Sequence, residues 1–463
     1  MATALPTPPK AEHGQRPSYA RPSHYPQGAT MHLKTLAAVL LAASLPAPGH
    51  AADYFVHPAG DDHDAGTQSR PWRSLERASS APLAPGDRLL LARGGAFTGT
   101  LTVSASGSPT SPITVGAYGS GAAPRLMNPF FAESFGRIIA VSGSHIVVEN
   151  LYLYDTPTPA PDPLPVRWQD SVQHKNVTQL AALLVDKGAH HVVVRNNEFS
   201  NALVGVRVRG SDSLVTHNYF HDAGKITEQW GAIAIAIVGP DNEVSFNRVD
   251  NYGFYGGAYA NDGAVVELDG EDPDYRARHI HIHHNVSHNV KGGFLEIAGK
   301  SDDVLIEHNV SDDVDKFVGG SNVRNIVIRN NTVLRTRLTH ITHDADFPLR
   351  TVFWTFNDKG DDEFHVSANL FVLDATQRIY KGPEHKLGIV PRTRSGNQYY
   401  SANGVIATML GLPLGADEVV AAPVFRDAAR GDYRVRGQRG AGYAGAYAPD
   451  QPLWHAGLLP GAR

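Results

Sequence analysis

Two glutamates occupy matching positions in two similar segments. One is VVELDG, ending at Gly270, and the other is FLEIAG, ending at Gly299. Two earlier segments have the same form, GVRVRG ending at Gly210 and AIAIVG ending at Gly239. Counting back from glycine, positions two and four are apolar in all four: Val208/Val206, Ile237/Ile235, Leu268/Val266 and Ile297/Leu295. Side chains alternate along a strand, so these pairs point inward. The residue between them, Arg207, Ala236, Glu267 or Glu296, then points outward. If these strands stack, Glu267 and Glu296 lie on neighbouring rungs about 4.8 Å apart. No packing requirement calls for two stacked carboxyls, and like charges at that spacing favour one proton between them. Glycoside hydrolysis needs one carboxyl as acid and another as nucleophile or base. Asp269 is the substitute if the register is off by two. The bland alternative is a solvated pair screened by Arg207, by Lys316 or by a bound cation. The next segment, DVDKFVGG, places Asp315 or Lys316 beside Glu296.

A second polar column contains His221, Asp250, His288 and Asp312, followed by Asp222, Asn251, Asn289 and Asp313. It is expected to border the glutamates. This makes His288 a candidate catalytic group and His221 a candidate substrate contact, together with Arg207 and Lys316. Aromatic side chains can stack on sugar rings, and Trp168, Trp230 and Tyr255 stand in loop-like insertions. The acidic run Glu267, Asp269, Glu271 and Asp272 has ligand types that suit calcium. Glu271 and Asp272 are therefore the weak metal candidates, and no cofactor is required. The stretch HIHIHHNVSHN, residues 279–289, looks like a zinc site. Within the repeat, however, Ile280 and Ile282 are inward. His281 and His283 are outward between Glu243/Ser245 and Leu305/Glu307, where His–Glu contacts suffice, and His284 matches His217 and His308.

The elements that position these residues follow from a recurring pattern: apolar, any, apolar, any, any, Asn. It ends at Asn197, Asn218, Asn247, Asn285, Asn309, Asn331 and Asn369, with undisturbed spacings of 21, 24 and 22 residues. A period of 20–25 residues built from short strands implies a solenoid whose coils bury their inward residues only by stacking. Asparagine at a coil corner can form an amide ladder. Leucine-rich repeats have a similar period, but their leucine spacing is absent. The fold class expected is all-β, a right-handed parallel β-helix with a short N-terminal capping helix around Ser74–Ala78.

The opening YFVHPAGDDHDAGTQSRPW, the segment SPITVGAYGSG and the Asn-ending coils resemble the pectin-lyase-like superfamily of parallel β-helix proteins, over about residues 53–400. The resemblance implies the fold and activity on carbohydrate. It leaves the chemistry open, because one fold hosts many reactions. A glycoside hydrolase is the first reading. A polysaccharide lyase cleaving a uronate-containing glycan by β-elimination is the second, with His288, Lys291 or Lys316 as base. In the alginate and chondroitin lyase branch this face bears a Lys and an Arg, and no such pair matches here. A non-catalytic glycan-binding solenoid or adhesin is the third reading.

The chain has 463 residues, 42% hydrophobic content and a formal net charge of -5, with 45 glycines, 31 prolines and no cysteine. That balance argues against disorder and against nucleic acid as partner. From Met31, MHLKTLAAVLLAASLPAPGHAA reads as a signal peptide cleaved after residue 51. Residues 1–30 read as an upstream extension, and 52–463 as one β-helix domain with a C-terminal capping tail. A secreted or periplasmic monomer is expected, acting on a polysaccharide or oligosaccharide, with no membrane association after cleavage.

Overall fold

Short runs of valine and isoleucine alternating with polar residues form short strands, because only one side of each needs burial. In the computed structural model these strands line up as three long parallel sheets. The structure describes residues 51–128, 137–154, 181–223, 232–255, 261–270, 274–299, 301–335, 352–355, 362–374, 378–380, 388–438 and 442–460. Among these, the first sheet has 12 strands, from Asp53–Val56 to Thr393–Ser395. The second has nine, from Leu101–Val103 to Phe353–Thr355, and the third has 12, from Ala96–Thr98 to Val419–Val420. One coil is typical. Val204–Val208 lies in the second sheet, Leu214–Thr216 in the first and Tyr219–Ala223 in the third, and the chain returns to the second at Ile233–Ile237. Within the three long sheets each described strand of this coil pairs in parallel with its equivalent one coil away.

The expected inward residues form one core. Val206, Ile235, Val266, Leu295, Ile280, Ile282, Val304, Ile306, Ile326 and Ile328 are all buried in it. Aromatic rings stack inside from coil to coil, with Phe199 and Phe220 at 4.7 Å and Phe371 and Tyr399 at 5.3 Å.

The turn from the first sheet to the third takes two residues. The first adopts positive φ, as at Asn196, His217, Phe246, His284, His308, Asn330 and Ala368. The second is the ladder asparagine. Each ladder residue donates its backbone N–H and its Nδ2 to Oδ1 of the next. Asn247, for example, reaches Asn285 at 2.9 and 3.1 Å, and Asn285 reaches Asn309 at 3.0 and 3.0 Å. The ladder runs from Asn197 through all the expected positions and adds Asn397. It ends on Glu418, which accepts from Asn397 Nδ2 and from the Tyr399 hydroxyl, each at 2.8 Å.

A short helix, Leu75–Ser79, follows Ser74, whose hydroxyl accepts from the Arg77 N–H. The tail from Val424 does not stop at the last coil. It runs back along the ladder corner, with Gly445 N–H bonding Ala368 O, Ala446 O accepting from His308 and Leu459 N–H reaching Asn196 Oδ1.

Candidate functional site

The outward column of the second sheet carries the candidate carboxylates. Its register runs Thr102, Ala140, Leu184, Arg207, Ala236, Glu267, Glu296, Gly319, Trp354. Glu267 and Glu296 are therefore direct neighbours, as the spacing from glycine predicts. Both are half-buried. The column is less open than expected. Leu184, Arg207 and Ala236 are buried, at 2, 2 and 0% exposure. Part of the reason is the segment after the Glu267 strand, which returns over this side. The Tyr275 hydroxyl donates to Arg209 O, and Lys187 Nζ sits 3.9 Å from the Tyr275 ring centroid.

Lys316, rather than Asp315, meets Glu296. Its Nζ is 2.8 Å from Glu296 Oε2 and donates to Gly292 O at 2.8 Å. The side chain crosses Gly319, where an added Cβ would come within 2.6 Å of Lys316 Cδ, so glycine is what lets the lysine through. It ends 5.8 Å from the Trp354 ring centroid. Arg335, fully buried, anchors the turn that launches this lysine. Its guanidinium donates to the carbonyls of Ser311, Leu334, Asp315 and Lys316 at 2.6 to 3.1 Å. Burial pushes Arg335 below its usual range, while Asp313, Asp312 and Asp315 favour its charge. Burial likewise raises Asp313, opposed by Arg335 and by the hydroxyls of Ser287 and Ser311.

Asp269 lies just beyond the Glu267 strand, 3.6 Å from Arg207 Nη1. Two cations expected to meet substrate are thus held against acidic groups of the same face, with both side chains buried. His221 and His288 are on the third sheet, in one column with Asp250 and Asp312. His288 is 3.7 Å from Asp312. His221 bonds Glu198 at 3.1 Å and Asp222 at 2.8 Å. Burial works against its charge, but these two carboxylates outweigh it and raise the imidazole. The structure joins both histidines to carboxylates of their own sheet, across a coil corner from the glutamates. The corner residues Asp222, Asn251 and Asn289 form a short ladder of their own.

Trp168, Trp230, Glu271 and Asp272 lie outside the described residues. Tyr255 is in the short strand Phe254–Tyr255, paired with Asn261–Asp262, and its side chain lies outside them too.

At the N-terminal end of the same column lies a pocket of about 750 Å³ lined by Thr100, Thr102, Asn128, Arg137, Leu184 and Asp186 among others. It is three to five rungs from Glu267, so the concavity and the carboxyl pair are separate parts of one face. Arg137 is held below its usual range by burial, with Asp186 opposing.

The histidine-rich stretch behaves as its coil requires. His281 bonds Glu307 and His283 bonds Glu243, each at 3.0 Å. The His281 bond and Arg329 hold Glu307 down to about 2. His284 stacks on Phe246 at 4.8 Å and lies beside His308 and Trp454. Burial brings its imidazole down to about 3, and His308 and His283 add to the effect.

A family model described as a right-handed β-helix region matches residues 171–333. The fold is a right-handed parallel β-helix. No curated protein matches the sequence. Among solved β-helix structures, the GH136 lacto-N-biosidase from Eubacterium ramulus is 14% identical, with a TM-score of 0.53 over 80% of this chain and 68% of that one. XylC in complex with xylose is 10% identical, with a TM-score of 0.50 over 80% and 86%. At such identities the likeness is one of fold.

Proposed function

We propose that this β-helix protein is an exported glycoside hydrolase acting on a polysaccharide or oligosaccharide bound at the Glu267–Glu296 part of the second sheet's outward column. The observation that carries the reading is the register pairing of Glu267 with Glu296. Glu296, ion-paired to Lys316, is suited to act as nucleophile or base. Glu267 then serves as acid, passing its proton to the leaving glycosidic oxygen as the anomeric carbon is attacked. The pocket around Thr100, Thr102 and Arg137 lies at the N-terminal end of the same column. The reaction needs no cofactor. The likeness of fold to a lacto-N-biosidase is compatible with this reading.

A second reading is favoured by the cations. Arg207 and Lys316 lie on this same face, and such groups can neutralise a uronate carboxylate for β-elimination. The Lys316 ammonium is buried and already engaged by Glu296 and the Gly292 carbonyl, which places this reading second. Incubation with a glycan panel separates the two. Release of reducing ends without the absorbance of an unsaturated uronate is expected, and it should be lost in Glu267→Gln. Reducing ends accompanied by that absorbance would replace hydrolysis with elimination. Neither signal on any glycan would leave a binding solenoid.

A further inference from the structure

Most described histidines on the outside of the β-helix face a carboxylate. His279 has Asp241, His281 has Glu307, His283 has Glu243, His288 has Asp312 and His221 has Glu198. His145, His190 and His191 face one another instead. They come from two successive coils at the corner leading from the second sheet into the first, just before Ile146–Glu149 and Val192–Arg195. The pairing of Ile146 with Val192 sets His145 and His191 one rung apart. Both have positive φ, 54° and 55°. The backbone beneath is pinned: His145 N–H donates to His190 O at 3.0 Å, His190 N–H to Ser144 Oγ at 3.1 Å and His191 N–H to Ser211 O at 3.2 Å.

The ring centroids are 5.1, 4.8 and 5.0 Å apart. One ring nitrogen from each histidine lies within 4.8 Å of one from each of the others. Nδ1 of His190 and Nδ1 of His191 are 2.8 Å apart, so at most one of them carries the proton between them. Among the described residues no carboxylate pairs with any of the three. Three imidazoles converging in this way present three nitrogen donors to one point.

We propose that His145, His190 and His191 form a binding site for a divalent transition-metal ion of the zinc type. Imidazole donors favour zinc, copper or nickel over calcium or magnesium. Zn–N bonds of about 2.0–2.1 Å in a tetrahedron need ligand nitrogens about 3.4 Å apart, within reach of small ring rotations here. Three protein ligands leave the fourth position to water. The ion ties together two coils whose ligands are 45 residues apart in sequence, beside the strands that line the pocket. Because the unfolded chain does not hold these residues together, binding stabilises the folded state.

The test uses the full chain, stripped with a chelator and titrated with zinc chloride near pH 7.5. One ion per chain is expected, with an imidazole-rich first shell by X-ray absorption and a rise in thermal midpoint. His191→Gln, at an exposed position, and His190→Gln should each weaken uptake at least tenfold while keeping the metal-free melting temperature. The double variant His281→Gln/His283→Gln should bind as the parent does. Equal uptake by parent and His191→Gln, loss of uptake in the His281/His283 variant, or no uptake by the parent overturns the site.

Discussion

Two faces of the same coils follow opposite rules. At the corner between the first and third sheets each ladder asparagine from Asn197 to Asn369 is answered by its equivalent one rung on. Asn285 accepts from Asn247 and donates to Asn309, and also bonds the carbonyls of Val244 and His283. The rings ahead of the ladder stack in turn, His217 on Phe246 and Phe246 on His284, under Trp454. On the outward column of the second sheet the repeat is broken instead. Apolar Leu184 and Ala236 give way to Glu267 and Glu296, and charges are answered from other positions by Lys316 and Arg207. Where a repeat satisfies itself, the residues maintain the fold. Where it departs from its own pattern at the expense of like-charge contact, the departure marks the place to look for chemistry.

Substitutions can break this contrast. Glu267→Gln has the largest expected effect, a fall in kcat of roughly 10²–10⁴-fold with an unchanged melting curve, because it removes the proposed acid and little packing. An active Glu267→Gln enzyme would return the glutamates to a structural role. Asn285→Ala should do the reverse. It removes the acceptor of Asn247's buried N–H and Nδ2, while Asn309 Oδ1 keeps the backbone N–H of residue 285, costing about 3 kcal/mol in chemical unfolding, and leaves kcat per folded molecule near that of the parent. Lys316→Met should affect both readouts. It leaves Glu296 without its ammonium, and since that carboxylate is about a quarter exposed, the expected loss is about 2 kcal/mol together with reduced kcat. A variant that lost stability but no activity would move Lys316 to the structural side.

The effect that is smallest at neutral pH concerns the ring stack. His284 has a folded-state value of about 3, below its ordinary 6.5, so the unfolded chain takes up the proton first. The neutral ring's contribution is complete above pH 6.5 and is lost as pH falls towards 3. His284→Phe, matching Phe246 in the same row, should flatten the acid limb of the stability profile across that window. An unchanged limb would remove the stack from the account.

Much of the architecture was legible because a strand's in–out alternation is local. The apolar pairs before each glycine, the ladder from Asn197 to Asn369 and the Glu267–Glu296 register all follow from counting. Asn397 escaped because its strand, Thr393–Ser395, lacks the apolar pair that marks the others. Arg335 was invisible because its role is to hold carbonyls, which carry no sequence signal. Trp354 was missed because its strand is only Phe353–Thr355, outside the Asn-ending pattern. The histidine trio was hidden by the long insertion between its two coils, which conceals that His145 and His191 share a corner. The five histidines at 279–288 drew attention by density, but although His281, His283 and His284 lie close together, His281 and His283 are each held by a glutamate.

By itself the sequence determined the period, the inward residues, the ladder and which two glutamates stack, because each depends on spacing within or between adjacent repeats. Only the tertiary structure decided which charges meet, where the face is covered and where the tail runs. Those outcomes depend on how insertions of unequal length return to the coil and on which long side chains cross a glycine to reach the next rung. Lys316 crossing Gly319 to Glu296, and three histidines from two coils turning to one point, are contacts that no repeat spacing encodes.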